Sequence, residues 1–362
     1  MRIAILNWRD LSHPDAGGAE VFVHEVAKCW VEAGHRASVV CSAAPGLGRT
    51  NDDGGVRIYR VGKLKGGSHH LFAPRHTAVR EADVVLESIN SIPYELPLRM
   101  RSRPFLSLFH QMAIDVWDAH VRQPFAAGAR VLERVLLRPY RAVPVVAVSE
   151  STKKDLLSVG LRNVAVVPQG GIGEQNRLKK DAVTTLLFVG RLIQNKRPDH
   201  ALEAFRIIRD EMPDARFWVV GEGSMKADLE SAGLPGVEWL GRIPRDELLA
   251  RMSRAHLLLV TSVREGWGLV VSEANSMGTP AVAYDVPGLR DSVEHGSTGV
   301  LVRPSPHNLA AACLKLLENR GVYEGMCESA AHWGSSRTWQ KTAECLLELL
   351  GKQVQRAPGA AD

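Results

Sequence analysis

Val145-Val146-Ala147-Val148 is apolar at every position, whereas a strand with one solvated face would alternate. Such a run is typical of a strand that helices cover on both faces. Five further β-rich runs lie earlier in the chain, with helical patterns between them. They are Ile3–Trp8, Ser38–Cys41, Val56–Val61, Val84–Ile89 and Phe105–Phe109. This alternation predicts a doubly wound α/β domain with a parallel sheet.

A second series of strands and helices starts after residue 181. Its strands are expected at Leu186–Val189, Phe217–Val220, Val237–Leu240, Leu257–Val260, Ala281–Tyr284 and Gly299–Val302. Between Pro168 and Asp181 the chain is polar and lacks periodicity, which predicts a linker. Three helical segments follow Pro306, and the last residues are typical of a frayed tail. We therefore expect two α/β domains, 1–170 and 171–336, then a helix over 337–350 and a flexible tail over 351–362.

The composition is that of a globular protein. The 362 residues are 45% hydrophobic and 23% charged, unlike disordered or coiled-coil chains, and they suffice for two apolar cores. The five cysteines form no Cys-x-x-Cys pair and lie mostly in apolar stretches, which favours a reducing cytoplasm. The N-terminal apolar run is shorter than a signal peptide needs, and no run approaches the roughly eighteen residues of a membrane span. We expect a cytoplasmic protein.

The net charge of +5 is concentrated in the first half, where residues 1–177 carry 23 Lys and Arg against 17 Asp and Glu. This bias favours anionic lipid or a phosphorylated acceptor, or it reflects a solvated surface. Four arginines recur at helical spacing beside apolar residues, as in an interfacial helix or an ordinary surface helix. They are Arg130, Arg134, Arg138 and Arg141, beside Val131, Leu132, Val135 and Leu136. Weak peripheral contact with the inner face of a membrane is one expectation, whereas no nucleic-acid partner is expected.

Several common nucleotide and metal motifs are missing from the sequence. No Gly-x-x-x-x-Gly-Lys-[Ser/Thr] occurs, and the first strand leads into Asn7 rather than into Gly-x-Gly-x-x-Gly. Gly221-Glu222-Gly223 lacks the third glycine of that fingerprint. No His-x-x-x-His, cysteine cluster or Asp-x-Asp indicates a metal site. Simple ATPase and dehydrogenase functions lose support, and we predict activity without a metal or a cofactor.

Two loops have residues suited to anions. Gly17 and Gly18 precede an amphipathic helix, where backbone amides and the helix dipole favour phosphate or sugar oxygens. A turn without a ligand fits the same residues. Arg191 and Lys196 follow the first strand of the second domain, at the carboxyl end where ligands of open α/β sheets collect. Two cations there suit a diphosphate, although a solvated basic loop has the same composition.

Glu265 and Glu273 lie on either side of Gly266-Trp267-Gly268, where a strand passes into a helix. If the stretch is helical, a rise of about 1.5 Å per residue puts the two carboxylates about 12 Å apart. Glycosidase pairs work at about 5–9.5 Å, so this pair is expected to hold different parts of one long ligand. His110 ends the strand Phe105–Phe109 and is expected at the carboxyl edge of the first sheet, in a functional or a structural role.

Together these elements resemble the retaining glycosyltransferases of sequence family four, from residue 1 to about residue 350. The resemblance rests on Gly17-Gly18, Arg191 with Lys196, the Glu-x7-Glu element, and Met277-Gly278-Thr279-Pro280. It implies the GT-B fold, in which two doubly wound Rossmann-like domains face a central cleft and a C-terminal helix crosses back to the N-terminal domain. Trp339 is the expected anchor of that helix. The sequence departs from the family pattern at Pro168-Gln169-Gly170-Gly171-Ile172.

The same resemblance implies that the first domain binds the acceptor and the second the nucleotide sugar. Catalytic roles fall to His110, Arg191, Lys196 and Glu265, with the cations on the donor diphosphate and Glu265 on the sugar hydroxyls. Further donor contacts are implied for Arg242, Ile243, Gly266, Gly268, Leu269, Val270 and Glu273, of which Glu273 holds the ribose. Gly17 and Gly18 would contact the acceptor or a phosphate.

The implied reaction moves a hexose from a nucleotide diphosphate sugar to a hydroxyl acceptor, with retention of configuration and without a metal. The acceptor is a sugar, a lipid-linked sugar, a polyol or a natural product. Trp117 is a candidate either for stacking on it or for core packing. The sequence does not distinguish GDP-mannose from UDP-glucose or a deoxysugar donor. Two alternatives stay open: a nucleotide-sugar epimerase of the same architecture and a non-catalytic sugar-nucleotide binding protein.

Overall fold

A computed structural model describes residues 1–63, 67–90, 92–100, 102–112 and 125–356. These residues form two compact units. The first holds the residues up to Gly170 together with those from Trp339 onward, and the second holds Gly171–Thr338. The chain therefore leaves the first unit after Gly170 and re-enters it at Trp339.

The first unit is built on an eight-stranded sheet in the order β3-β4-β2-β1-β5-β6-β7-β8. Its strands are β1 (Arg2–Leu6), β2 (Arg36–Ala43), β3 (Thr50–Asp53), β4 (Val56–Lys63), β5 (Val84–Asn90), β6 (Phe105–Gln111), β7 (Val145–Ala147) and β8 (Val164–Val166). Every neighbouring pair is parallel except β3 with β4. The parallel sheet predicted from the apolar runs is confirmed. The sequence analysis predicted neither β3, which is polar and exposed, nor β8, which is as short as β7.

Six α-helices accompany this sheet in the described part of the N-terminal segment. They are α1 (Gly18–Glu32), α2 (Ser68–Phe72), α3 (Thr77–Arg80), α4 (Leu96–Arg99), α5 (Phe125–Leu136) and α6 (Glu150–Ser158). The apolar stripe of α1 is buried, including Phe22, Val26 and Trp30. At α6 the Ser149 hydroxyl accepts a hydrogen bond from Thr152 N, which caps the helix.

The second unit contains a six-stranded sheet in the order β11-β10-β9-β12-β13-β14, with every pair parallel. Its strands are β9 (Thr185–Val189), β10 (Arg216–Val220), β11 (Val237–Gly241), β12 (Leu257–Val260), β13 (Ala281–Tyr284) and β14 (Gly299–Val302). Its helices are α7 (Pro198–Glu211), α8 (Lys226–Ser231), α9 (Arg245–Arg254), α10 (Leu269–Ser276), α11 (Leu289–Ser292), α12 (Pro306–Glu318) and α13 (Arg320–Ser335). All six predicted strands are present. One continuous apolar core surrounds the central strands β9 and β12.

The last described helix, α14 (Trp339–Arg356), packs within the first unit. The Trp30 indole nitrogen donates to Ala343 O at 2.9 Å, and the Trp339 ring lies 5.6 Å from that of Phe22. The expected bounds of this helix were wrong at both ends. It starts at Trp339 rather than at 337, and it continues to Arg356, so residues 351–356 are helix rather than tail. Residues 357–362 lie outside the described residues.

Close packing explains the two glycines of the linker, Gly170 and Gly171. A Cβ added at Gly170 would lie 2.3 Å from Trp339 Cε3, and one added at Gly171 would lie 3.3 Å from Arg337 O. Real Cβ atoms do not approach other atoms as closely as the first of these distances. The departure from the family pattern at this point thus provides the space for Trp339, which is itself buried.

The core of the first unit contains a fully buried carboxyl group, that of Glu87 on β5. It accepts hydrogen bonds from Tyr94 N at 2.6 Å, Ser107 Oγ at 2.7 Å and Tyr140 OH at 2.7 Å. Burial nevertheless dominates and raises the pKa of Glu87 from its ordinary 4.5 to about 7. The three donors connect β5 to β6 and to the segments after β5 and α5.

Glu87→Gln tests this assignment through the pH dependence of stability. The folded pKa lies above the unfolded one, so this group favours folding most below pH 4.5, and stability is lost as the pH rises through about 7. Glutamine does not ionise. The free energy of unfolding of the variant, relative to that of the wild type, should therefore increase by about 2 kcal/mol from pH 5 to pH 8. Calorimetric unfolding midpoints at both pH values measure this gap.

The exposed Glu150, which is paired with Lys153 at 3.6 Å, supplies the control variant Glu150→Gln. Its difference from the wild type should stay nearly constant over the same pH range. An equal pH dependence of Glu87→Gln and the wild type would show that Glu87 does not titrate in this window.

Candidate functional site

Loops at the carboxyl ends of β9 and β12 bring two of the predicted site residues into contact. After β9 the chain turns through Arg191, which is exposed, into a 3-10 turn over Gln194–Lys196. The Lys196 ammonium forms an ion pair with Glu265 Oε1. The two side chains are 22% and 16% exposed, so the pair is shielded from bulk solvent but remains accessible.

Residues that the sequence analysis missed hold this pair in place. The Ser262 hydroxyl donates to Glu265 Oε1 at 2.6 Å. The Thr261 hydroxyl hydrogen-bonds Lys196 O and Arg197 O at 2.8 and 2.7 Å. Arg197 has φ of 47°, a left-handed conformation that is uncommon for a residue with a side chain. Thr261 and Ser262 directly follow β12, and that position is the signal that could have found them.

The turn after Glu265 differs from the one assumed in the sequence analysis. Helix α10 begins only at Leu269, and Gly268 precedes it with φ of 96°. The estimate of 12 Å between Glu265 and Glu273 assumed one continuous helix, so it does not apply. Gly266 is half-buried in this turn, and Leu269 and Val270 form the first turn of α10. The helix therefore begins four residues after Glu265 in the chain, with Gly268 as its N-cap.

Glu273 forms an ion pair of its own. Arg245 Nη2 on α9 contacts Glu273 Oε1 at 2.9 Å, and the Glu273 side chain is only 13% exposed. Arg245 had not been singled out in the sequence. Arg242 and Ile243 follow β11, with Arg242 exposed and Ile243 half-buried. The structure thus pairs Lys196 with Glu265, and Arg191 lies exposed in the loop that leads to Lys196.

Gly221-Glu222-Gly223 serves packing between loops. A Cβ at Gly221 would lie 1.9 Å from Gly190 O, and one at Gly223 would lie 2.3 Å from Leu192 O. Leu192 N also donates to Glu222 O at 2.9 Å. The loop after β10 therefore rests on the backbone around Arg191, which explains a glycine pair that lacks the rest of the dinucleotide fingerprint.

In the first unit, His110 lies near the carboxyl end of β6 and is 7% exposed. Its Nε2 lies 2.9 Å from Ser88 Oγ, and the Ser88 hydroxyl donates to Asn7 Oδ1 at 2.8 Å. Asn7 Nδ2 donates to Arg9 O at 2.8 Å, which fixes Oδ1 as the acceptor. The single Ser88 hydrogen is therefore committed to Asn7, so His110 Nε2 must be the donor and Nδ1 carries the lone pair. Burial lowers the pKa of His110 to about 4, which keeps the ring neutral at pH 7.

The predicted anion loop of the first unit already contains a carboxylate. Gly17 N donates to Glu20 Oε2 at 2.7 Å, and Glu20 is 3% exposed. The amide of Gly17, expected to face a ligand, is thus used within the protein, whereas Gly18 is the first residue of α1.

The basic helix predicted for membrane contact corresponds to α5 and the 3-10 turn after it. Val131, Leu132 and Val135 are 59%, 58% and 43% exposed, and Arg134 is exposed among them. The side chain of Arg130 and all of Trp117 lie outside the described residues. Within the described ranges, no helix is both long and apolar enough to cross a membrane. Nor does that part of the chain contain three or more His, Cys, Asp or Glu side chains grouped to hold a metal ion.

Comparison with known proteins gives the class of the chain. Residues 16–170 match the family model described as Glycosyltransferase Family 4, and residues 174–334 match the model described as Glycosyl transferases group 1. The chain is 30% identical over 385 aligned residues to the D-inositol 3-phosphate glycosyltransferase of Geodermatophilus obscurus, covering 92% of this chain and 84% of that one. The chain belongs to the family four glycosyltransferases.

Solved structures agree on the fold. Sucrose-phosphate synthase from Thermosynechococcus elongatus superposes with a TM-score of 0.78 at 18% identity, over 97% of this chain and 98% of that one. HepE from Anabaena, solved in complex with UDP-glucose, gives a TM-score of 0.74 at 18% identity, over 97% and 99%. The GT-B class implied by the sequence is confirmed. The chain spans 54% of the length of two other curated relatives that it matches.

Proposed function

We propose that this protein transfers a hexose from a nucleotide diphosphate sugar to a hydroxyl acceptor. The observation that carries the proposal is the Lys196–Glu265 ion pair beside the N-terminus of α10 and the exposed Arg191. The names of the relatives support it, since one is a D-inositol 3-phosphate glycosyltransferase and a structural neighbour was solved with UDP-glucose.

Stabilisation of the leaving group is the main chemical role that we assign to this site. When the sugar departs, negative charge grows on the β-phosphate of the nucleoside diphosphate. Arg191, Lys196 and the amides at the start of α10 are cationic or partly positive groups that stabilise such charge. Glu265 accepts hydrogen bonds from the sugar hydroxyls, and Glu273 from the ribose.

His110 has a complementary role in the first unit. Since its Nε2 is committed to Ser88, the lone pair on Nδ1 is the group that accepts a hydrogen bond from a substrate hydroxyl. A neutral ring with a pKa of about 4 keeps this acceptor at pH 7. Protonation would convert it into a second donor.

The reaction retains the anomeric configuration and proceeds without a metal in our proposal. The leaving phosphate takes the proton of the acceptor hydroxyl on the face from which it departs. The acceptor is a sugar, a lipid-linked sugar, a polyol or a natural product. Donors under consideration are GDP-mannose, UDP-glucose and deoxysugar nucleotides, and thermal-shift measurements with GDP, UDP and dTDP identify the preferred base.

Lys196→Ala tests the leaving-group role. Loss of one preorganised donor typically costs about 3 kcal/mol, so kcat should fall about a hundredfold or more. The measurement is release of nucleoside diphosphate from a panel of donors, with the sugar product analysed. Lys352→Ala, which breaks an exposed pair with Glu348 on α14 (2.6 Å), is the control and should retain kcat.

Unchanged turnover in Lys196→Ala would refute the site assignment. Isomerisation of the donor sugar without acceptor would instead identify the epimerase alternative. Binding of nucleotide sugar without any turnover would identify a binding protein.

The anomeric configuration of the first-formed product tests whether the reaction proceeds with retention. Proton NMR of the anomeric signal should show the configuration of the donor sugar, and EDTA should leave the rate unchanged because no metal takes part in the proposed step. An inverted anomer would exclude the same-face displacement, and loss of activity restored by a divalent cation would exclude metal independence.

Weak peripheral binding to an anionic membrane at its cytoplasmic face is a second proposal, and the exposed apolar residues of α5 favour it. A helix that presents Val131, Leu132 and Val135 with Arg134 combines apolar area with positive charge. Sedimentation with anionic vesicles should therefore exceed that with neutral vesicles, and Val131→Ser with Leu132→Ser should reduce it. Equal sedimentation with both vesicle types would remove the proposal.

A further inference from the structure

Two tryptophan rings of the second unit stack in parallel beside the candidate donor site. Trp267 lies in the turn between Glu265 and Gly268, and Trp333 lies near the end of α13. Their planes differ by 4° and their centroids are 6.3 Å apart. Both residues are more than nine-tenths buried.

The guanidinium of Arg337 contacts both rings. Its Cζ lies 3.9 Å from the Trp333 centroid and 5.0 Å from the Trp267 centroid. Arginine is well suited to this environment because its planar, weakly hydrated head stacks on aromatic faces. Burial lowers the pKa of Arg337 from its ordinary high value, and the carboxylate of Glu294 opposes that shift. The group therefore remains a cation at neutral pH.

Helix α10 contacts both the Trp267 indole and the backbone next to Trp333. The Trp267 indole nitrogen donates to Ser272 Oγ at 2.8 Å. On α13, a Cβ at Gly334 would lie 2.3 Å from Ser276 N, so the backbones of α13 and α10 are in direct contact next to Trp333. Arg337 thus contacts one ring that belongs to a packed helix and one ring that belongs to the turn.

We propose that Arg337 is a positioning residue that holds the turn Glu265–Gly268 in its active geometry through its contacts with Trp267 and Trp333. This inference rests on the proposed function. Glu265 and Gly268 are within two residues of Trp267, so a shift of the Trp267 backbone displaces both the carboxylate and the start of α10. Arg337 acts through Trp267 and is not itself assigned a contact with the donor.

The second unit offers a matched control for the stacking interaction. Arg251 on α9 places its Cζ 4.5 Å from the Trp218 centroid. Trp218 lies on β10 and is buried. Arg251→Ala removes a comparable cation–π contact from the same unit but does not touch the turn at Glu265. Any effect of Arg337→Ala on catalysis beyond that of Arg251→Ala therefore measures positioning rather than general stability.

The experiment compares Arg337→Ala, Arg251→Ala and the wild type in donor turnover, nucleoside diphosphate affinity and unfolding midpoint. A displaced turn should lower kcat/KM for the nucleotide sugar about tenfold or more. Affinity for the nucleoside diphosphate alone should fall by a smaller factor than kcat/KM, because the diphosphate loses only contacts at the start of α10, whereas the nucleotide sugar also loses the contact of its sugar with Glu265. Arg251→Ala should keep kcat/KM within about twofold of the wild type.

Equal kcat/KM in Arg337→Ala and Arg251→Ala would overturn the role of Arg337. Should Arg337→Ala fail to fold, Arg337→Lys replaces it, since lysine keeps the charge but loses the flat guanidinium. That variant should lose at least about threefold in kcat/KM, and full activity would likewise overturn the proposal. A wild-type chain without donor turnover would overturn the proposed function itself, which is a distinct result.

Discussion

Close backbone packing among the loops at the carboxyl edge of the second sheet is the constraint on which the candidate site depends. Gly221 allows its loop to reach within contact of Gly190 O, and Gly288 allows another to reach Glu265 O, where a Cβ would lie 2.1 Å away. These approaches exclude any side chain at the two glycines. They fix the backbone near Lys196 and at Glu265, so fewer side-chain rotamers have to be selected for the two charged groups to form their ion pair.

The fold was largely predictable because its main signal is physical and local. A strand covered on both faces needs an uninterrupted apolar run, and all twelve predicted runs became strands of the two parallel sheets. The failures follow from the same rule. Strand β3, Thr50–Asp53, is an exposed antiparallel edge without apolar residues. Strand β8, Val164–Val166, is apolar and as long as β7, but its three residues are only partly buried or exposed. The final helix continues past Leu350 to Arg356, and it packs on α1 through Trp339 and Ala343, a tertiary contact that local sequence does not report.

The candidate site was predictable as a set of charges but not as a set of pairs. Position after a strand selected Arg191, Lys196 and Glu265. Their partners could not be predicted, because nothing in the sequence indicates that Ser262 donates to Glu265 or that Arg245 pairs with Glu273. The linker shows the same limit, since Gly170 and Gly171 were recognised only as a departure from a pattern. Glycine is needed at these two positions because of the Trp339 ring and the backbone of Arg337, which lie far along the chain.

The Lys196–Glu265 pair is compatible with both roles assigned to its members. An ammonium has three donor hydrogens, so Lys196 retains two for phosphate oxygens while one remains on Glu265. Lys196 and Ser262 both bond Oε1 of Glu265, which leaves Oε2 to accept from a sugar hydroxyl. In the proposed reaction, the carboxylate neutralises Lys196 before the donor binds, and the exposed Arg191 is the cation available to an incoming diphosphate. The pairing thus holds Lys196 in position at rest and leaves its remaining hydrogens for the charge that develops as the sugar departs.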